Sequence, residues 1–486
     1  PSASFAASSA PVTSQKLFVS FYKSDLTGGT YMQSSIINEV VSIFPNIALH
    51  REEEYCSVKD STWAILPAFE ECARNFNSEE NRALKNYFAN NEIFKDKYKA
   101  LQNASTAKPF VFDDKSNVNL LFGNDLKISA SQVEKFSLCR FSYFCNYGLR
   151  VRERRKAEIN PLEYGTFIHY IMEIFFSKYS KNEFSNMSED EIYDICDDIL
   201  DDYVDKHFGG TEKNTPRFMY RFNKIRENVH FLVLHIIKEL KHSGFEPIDC
   251  ELKIDGDIPG YEVALPTGQK IMLRGSVDRV DILKKGEENY IRIIDYKTGS
   301  KEFKLSDILY GLNLQMLIYL YAITLGGEER YGKVTPAGIL YMPATVKPIS
   351  VDGAIIDAQI NEQVSKGLKM NGMLLNSLDV IDNSDKEYIS FNTKKGTLTT
   401  GGNLASLEEL GMIFKKLDMT VAEMGDKLFS GNVEASPLKG GKDSCEYCPY
   451  DSVCAYHMSA CRNSFSVDND EVCKILENEQ NKGGED

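Results

Sequence analysis

The sequence predicts an α/β fold whose mixed central sheet is flanked by helices. Three observations predict it. The pattern from Ile128 onward runs helix, strand, hairpin, helix, strand. Within that order, Arg274–Asp281 and the apolar run ending at Asp295 flank a polar break, Lys284–Asn289, that has the composition of a hairpin turn. A chain of 486 residues with 42% hydrophobic residues can also bury the cores of two or three domains. The expected divisions are a smaller, partly helical region at 1–126, the α/β region at 127–465 and an acidic tail at 466–486.

Each element has its own signal. Residues 1–15 are rich in Ser and Ala, and Lys16–Tyr22 alternates like a strand. Ser34 or Ser35 is placed to cap an amphipathic helix to Phe44, which Pro45 ends. The stretch 50–110 is mostly helical in pattern, holds the single tryptophan, Trp63, and carries no evident chemistry. Ser129 and Ser131 precede a short helix through Phe136, and Glu163–His169 opens an apolar helix that continues through Phe176. Two or three helices between Glu189 and Ile237 lead to a strand at Glu251–Ile254. After the hairpin come a helix from Gly311 to Tyr321 and a strand at Ala337–Met342. The polar stretch 352–403 is expected to be an irregular insertion, followed by a helix from Leu404 to Lys427 and a frayed tail after Ser466.

Composition narrows the function. A net charge of −15 argues against a uniformly basic nucleic-acid coat, yet binding needs only a local positive surface. Two runs supply one: Arg150, Arg152, Arg154, Arg155 and Lys156, and then Arg217, Arg221, Lys224 and Arg226 at helical spacing. Either run also fits plain solvated surface charge. No apolar run approaches the ~18 residues of a membrane span and no secretory signal is apparent, which points to a cytoplasmic protein. Eleven cysteines in such a chain suggest reduced thiols or metal ligation more than disulfides. Gly327–Lys333 approaches a phosphate-binding loop, but Val334 takes the hydroxyl position and a helix precedes it where a strand is required. ATP hydrolysis by this chain is not expected.

The chemistry concentrates on the hairpin. On a strand, Asp295 and Lys297 share a face and Tyr296 points away. If the turn is centred between Gly286 and Glu287, Asp278 lies opposite Asp295, and Gly275 leaves room for a close neighbour. Two carboxylates this close repel unless a cation joins them, and a hard divalent ion is the usual solution. Asp278 and Asp295 are therefore expected to hold Mg²⁺ or Mn²⁺ for phosphodiester hydrolysis. Lys297 would orient or deprotonate the water and balance phosphate charge. Gln315 and Tyr319, one helical turn apart, would position the lysine or the substrate backbone. His169 is a candidate third ligand, with Glu173 to orient it, and Glu251 is a possible further acid. The plain alternative is a set of surface ion pairs on a hairpin.

Cys445, Cys448 and Cys454 have metal-ligand spacing, and Pro449 follows the second. Zinc competes, but a zinc module would supply a second nearby pair, whereas Cys461 and His457 give unusual spacing. A distant cysteine completing a [4Fe-4S] cluster fits better. Cys139 is the first candidate, tying the two ends of the region together like a staple, and Cys145 is its rival.

These motifs coincide with a known family. Cys139 with Phe141 and Tyr143-Phe144, Gly165 with His169, Gly275 with Asp278-Arg279-Val280-Asp281, Asp295-Tyr296-Lys297-Thr298-Gly299, Gln315 with Tyr319, and Cys445, Cys448 and Cys454 resemble the RecB-like nucleases of the PD-(D/E)XK superfamily. Within these, the chain is similar to the C-terminal part of the AddB-type subunits of bacterial ATP-dependent helicase/nucleases. The resemblance covers most of residues 16–460 and takes in only the end of the helicase-like region, as a fragment or a shortened relative would. Arg140 stands where the family commonly has proline. The resemblance implies a PD-(D/E)XK core with an iron-sulfur staple, an exonuclease that cuts one DNA strand in double-strand-break repair, and an AddA-like motor subunit as partner. A noncatalytic DNA-binding scaffold and a stand-alone CRISPR-associated exonuclease are the other readings.

Overall fold

Amphipathic helices build the described part of the N-terminal unit, which spans Pro1–Thr106. The computed structural model describes residues 35–44, 46, 62–105, 111–112, 114–123, 125–152, 162–208, 216–299, 302–345, 363–391, 403–441, 443–454 and 461–482. Helix α1 runs Ser35–Ile43, where the serine cap predicts it. The expected strand at Lys16–Tyr22, and Pro45 itself, lie outside the described residues. Helices α2 (Ile65–Arg74), α3 (Arg82–Asn90) and α4 (Lys95–Ser105) follow. Ala68 and Cys72 on α2, and Leu84 and Phe88 on α3, are spaced by four and form a small core with Phe94. Buried Asn81 gives its amide hydrogens to the carbonyls of Glu71 and Asn75, satisfying groups that the end of α2 leaves without helical partners. Trp63 is exposed.

The second unit, Ala107–Asp486, holds the sheet. Its strands are β1 (Asp125–Ser129), β2 (Glu246–Ile254), β3 (Tyr261–Ala264), β4 (Lys270–Lys285), β5 (Glu288–Lys297), β6 (Val334–Pro343), β7 (Asn371–Leu375) and β8 (Leu404–Ala405). They lie in the order β1-β4-β5-β6-β7-β8, with β2 and β3 also paired to the long β4. The β1–β4, β5–β6 and β7–β8 pairs are parallel, and β4–β5 and β6–β7 are antiparallel, so the sheet is mixed as expected. Near-continuous burial along β5 and β6 agrees with a central position covered on both faces. Helices α5 (Lys115–Phe122), α6 (Ala130–Leu138), α7 (Leu162–Lys178), α8 (Glu189–Phe208), α9 (Pro216–His242), α10 (Gln315–Gly326), α11 (Leu407–Phe429) and α12 (Asn469–Lys482) flank it. Val118 and Phe122 of α5 also enter this core.

Two expectations are corrected. The stretch 352–403 is not wholly irregular: Met373, Leu374 and Leu375 of β7 are buried in the sheet, a short apolar run masked by the Asn, Lys and Gly around it. Over its described residues, 467–482, the tail after Ser466 is not frayed. Its helix α12 places Val472 and Leu476, four residues apart, fully in the core, and Glu479 meets Lys416 of α11 at 2.7 Å. Leu476→Ala should therefore lower the unfolding free energy by about 2–5 kcal/mol in urea titrations, the range for a buried leucine truncated in a core.

The near-miss phosphate loop also resolves. Gly327 and Gly332 bracket a one-turn helix, Glu328–Tyr331, that leads into β6, which reverses the strand-to-helix order such a loop requires. No helix among the described residues is long and apolar enough to cross a membrane.

Candidate active site

The hairpin register sets the site. Pairing runs from Lys285↔Glu288 to Arg279↔Ile294, centred where the sequence places the turn, and Gly286 adopts the positive φ of 63° that such a turn needs. One further step brings Asp278 opposite Asp295. There the ladder gives way to a side-chain contact, with Tyr296 N–H donating to Asp278 Oδ2 at 2.8 Å. Strand β2 extends the row on the other edge of β4: Cys250↔Arg279 and Leu252↔Val277 place Glu251 level with Asp278. Glu251 holds φ at +51°, in the left-handed region that a non-glycine residue occupies only under constraint.

Helix α7 supplies His169. Its Nδ1 lies 3.2 Å from Glu251 Oε1 and 3.5 Å from Asp278 Oδ2. Ser276 donates its hydroxyl to the second Glu251 oxygen at 2.8 Å. His169, Glu251 and Asp278 each offer one ligand atom, and these atoms all lie within 4.8 Å of one another. An imidazole nitrogen with two carboxylate oxygens suits a divalent cation. The electrostatics point the same way: burial, then the charge of Asp295, push the Asp278 carboxyl up to about 7. Burial disfavours the charged form of His169, but the surrounding carboxylates outweigh it and raise its pKa above the usual value. The hydrogen bond from His169 leads in holding Glu251 below the usual carboxylate range.

Asp295 is buried and ion-paired to Lys297 Nζ at 2.6 Å, so both point to one side as strand alternation requires. It neighbours Asp278 but stands outside the three-residue ligand group. Tyr296 points away, its hydroxyl accepting from Arg279 Nη1 at 3.3 Å. The idea of exposed surface pairs fails for Arg279 and Asp281, which are fully buried in a separate ion network.

Helix α10 starts at Gln315, whose side chain bonds the Tyr319 hydroxyl. A Cβ at Gly275 would collide with that hydroxyl and with the ring that carries it, so the glycine is required by Tyr319. Gly275→Ala should displace Tyr319 and cut turnover about tenfold or more, as small misplacements near reacting groups do, read in a rate assay beside an unchanged far-UV spectrum.

Two placements, those of Glu173 and Glu134, differ from expectation. Glu251, not Glu173, is the hydrogen-bond partner of the His169 ring. Glu251, which the sequence offers as a possible further acid, stands in the site through the pairing of β2 with β4. Glu134, which no motif singles out, also serves the site: its Oε1 accepts the backbone N–H groups of Leu314 and Gln315 at 2.8 and 3.3 Å, fixing the start of α10 from 180 residues away.

Cys139 sits buried at the end of α6, with backbone N–H groups of Phe141, Ser142 and Ser436 directed at its sulfur. Burial leads in raising its pKa, and the nearby Cys448 adds to the rise. The two ends of the region do meet here. Arg140 bonds Glu434 at 2.7 Å and Asn432 at 3.0 Å, and the Tyr450 hydroxyl donates to Val151 O at 3.0 Å. Arg140 thus ties the same ends together. Cys145 is also buried and close enough to Cys139 and Cys448 for their charges to raise its pKa, after burial. Cys445, Cys448 and Cys454 are half-buried. Among the described residues no three cysteine sulfurs lie within 4.8 Å.

Arg150 and Arg152 are exposed. Helix α9 includes Arg217 and Arg221, whose side chains lie outside the described residues, as do Arg154, Arg155 and Lys156. Lys224 pairs with Glu227 and Arg226 with Asp201, so that part of the second run is neutralised.

A family model described as the PD-(D/E)XK nuclease superfamily matches residues 127–455. Among curated proteins, the B subunit of the ATP-dependent helicase/deoxyribonuclease of a Thermoanaerobacter species is 29% identical over 97% of this chain and 44% of its own length. The protein of the same name from Clostridium acetobutylicum is 28% identical over 97% of this chain and 43% of its length. That from Clostridium kluyveri is 34% identical over 75% of this chain and 33% of its length. The chain therefore spans less than half the length of these relatives. With the matched segment enclosing His169, Glu251, Asp278, Asp295 and Lys297, the chain belongs to the PD-(D/E)XK nuclease superfamily.

Proposed function

We propose that this chain is the DNA nuclease module, with exonuclease action, of an AddAB-type helicase-nuclease, dependent on Mg²⁺ or Mn²⁺ and acting in the cytoplasm of bacteria in double-strand-break repair by homologous recombination. The observation that carries it is the His169–Glu251–Asp278 group beside the Asp295–Lys297 pair. His169, Glu251 and Asp278 would hold the cation, with Asp295 adjoining. When bound, the ion lowers the pKa of a water and polarises the scissile phosphate. Lys297, anchored by Asp295, would orient that water and offset charge on the phosphate. Gln315 fixes the Tyr319 hydroxyl beside them, and Arg150, Arg152, Arg217 and Arg221 contact the DNA backbone. The relatives are named as one subunit of a helicase/deoxyribonuclease, which supports an AddA-like partner that supplies the motor. The test is hydrolysis of end-labelled DNA by purified chain with and without Mg²⁺; binding without cleavage at any divalent ion would favour a scaffold instead.

Cys139, Cys445, Cys448 and Cys454 are proposed to hold a [4Fe-4S] cluster. Amide groups directed at the Cys139 sulfur suit a thiolate ligand. Protein purified without oxygen should be brown and lose its visible absorption on Cys448→Ala. A colourless zinc protein, or colour loss on Cys145→Ala but not Cys139→Ala, would overturn the ligand set.

A further inference from the structure

The C-x-x-C loop borders an open cleft of about 1140 Å³ in the second unit. Its walls combine two kinds of side chain. Lys127, Arg150, Arg152 and Arg274 supply positive charge, and Tyr147 and Tyr447 supply aromatic surface. This is a local reversal in a chain of net charge −15. Lys127 pairs with Asp255, but no acidic side chain among the described residues pairs with Arg150, Arg152 or Arg274. Tyr447 is 88% exposed between Cys445 and Cys448, an unusual position for so large an aromatic ring.

The backbone favours a built site over a casual surface hollow. Arg150 holds φ at +57°, in the left-handed region, where the π-helical turn Phe144–Gly148 ends. That conformation is held from both sides: Val151 N–H donates to Cys145 O at 2.9 Å, and Val151 O accepts from Tyr450 at 3.0 Å. Strain of this kind persists where surrounding structure enforces it, and here it directs a guanidinium group to the cleft. Arg274, in turn, lies on β4 immediately before Gly275. Four residues of strand, at most about 13 Å, separate it from Asp278.

We propose that this cleft binds single-stranded DNA and delivers that strand to the Asp278 site. Bases stack on Tyr447 and Tyr147 while Arg150, Arg152, Lys127 and Arg274 follow the phosphates, the combination that sequence-tolerant single-strand binding uses. Along a duplex, away from its ends, the bases are stacked inside and offer Tyr447 no free face. At a spacing of about 3.4 Å or more per nucleotide, the strand from Arg274 to Asp278 spans four nucleotides or fewer. The inference rests on the nuclease reading for the strand's destination but not for its binding.

The experiment separates the two. Fluorescence anisotropy with a labelled oligothymidylate is measured without divalent ions, so no cleavage occurs, and hydrolysis with Mg²⁺ is measured in parallel. Tyr447→Ala is expected to weaken binding roughly five- to a hundredfold, the loss of one base-stacking contact, and Tyr447→Phe to restore it. Arg150→Gln and Arg274→Gln should each reduce the slope of log K against log salt by about 0.7, the signature of one lost phosphate contact on a single strand. A merely structural role would leave that slope unchanged. Unaltered affinity and slope in these variants, or equal weakening of blunt-duplex binding, overturns the cleft assignment whatever the hydrolysis assay gives. Normal binding with no hydrolysis at any divalent ion overturns the nuclease reading and leaves the cleft standing.

Discussion

Replacing Asp295 by alanine is expected to lower Mg²⁺-dependent DNA hydrolysis by about 10²- to 10³-fold or more while leaving metal-free DNA binding unchanged. The carboxylate has two tasks in the structure. It holds the Lys297 ammonium at 2.6 Å, and its charge presses on Asp278, whose carboxyl is raised toward neutrality by burial first and by Asp295 second. Without it, Lys297 loses its anchor and the cation site loses adjoining negative charge. Asp295→Asn keeps the shape and removes the charge, so an equally large loss in Asn would assign the effect to electrostatics. Lys297→Ala should match the loss in rate without a matching loss in metal affinity. Because the pair acts as a unit, the double variant should be scarcely worse than either single one. Wild-type rates in Asp295→Ala, or rates that add fully in the double variant, would sink the assignment.

How much of this is legible in sequence depends on the range of the physics. The hairpin register is local: equal spacing from Gly286-Glu287 fixes which residues face each other, and Asp278, Asp295 and Lys297 follow from it. The helices α7 and α10 are likewise written in their apolar patterns, and with them His169, Gln315 and Tyr319. Glu251 is harder, because its place depends on the pairing of β2 with the far edge of β4, a register that no local turn fixes. Glu134 is invisible to periodicity, since a carboxylate capping another helix across the fold leaves no spacing signal. Strand β7 and helix α12 are hidden for a related reason: each shows few apolar residues within polar sequence, and only tertiary packing on β6 and α11 reveals that those few are buried. Arg279 and Asp281 look like surface charges in sequence because one strand cannot show what covers it.

That coverage makes Asp281→Ala the substitution with the largest expected effect on stability, a loss of about 3–5 kcal/mol in urea unfolding. Asp281 and Arg292 are wholly buried, and Arg279 and Glu239 are 1% exposed. Asp281 meets Arg279 Nε at 2.8 Å and Arg292 Nη2 at 2.9 Å, and Glu239 of α9 meets Arg292 at 2.7 Å. Phe245 lies under the Arg292 guanidinium at 4.4 Å, and Phe176 and Tyr296 flank that of Arg279. Two guanidinium groups are thus balanced by two carboxylates, and removing one acid leaves a buried positive charge uncompensated, which costs far more than an intact pair contributes. Replacing all four residues by apolar side chains of similar volume should accordingly be close to neutral for stability. It should not be neutral for hydrolysis. Arg279 and Tyr296 are the chain neighbours of Asp278 and Asp295, and their contact sets the backbone from which the two site carboxylates project. A stable, apolar-core variant with wild-type turnover would show that the network serves folding alone; a stable variant with depressed turnover and intact DNA binding would show that the buried charges hold the site in register.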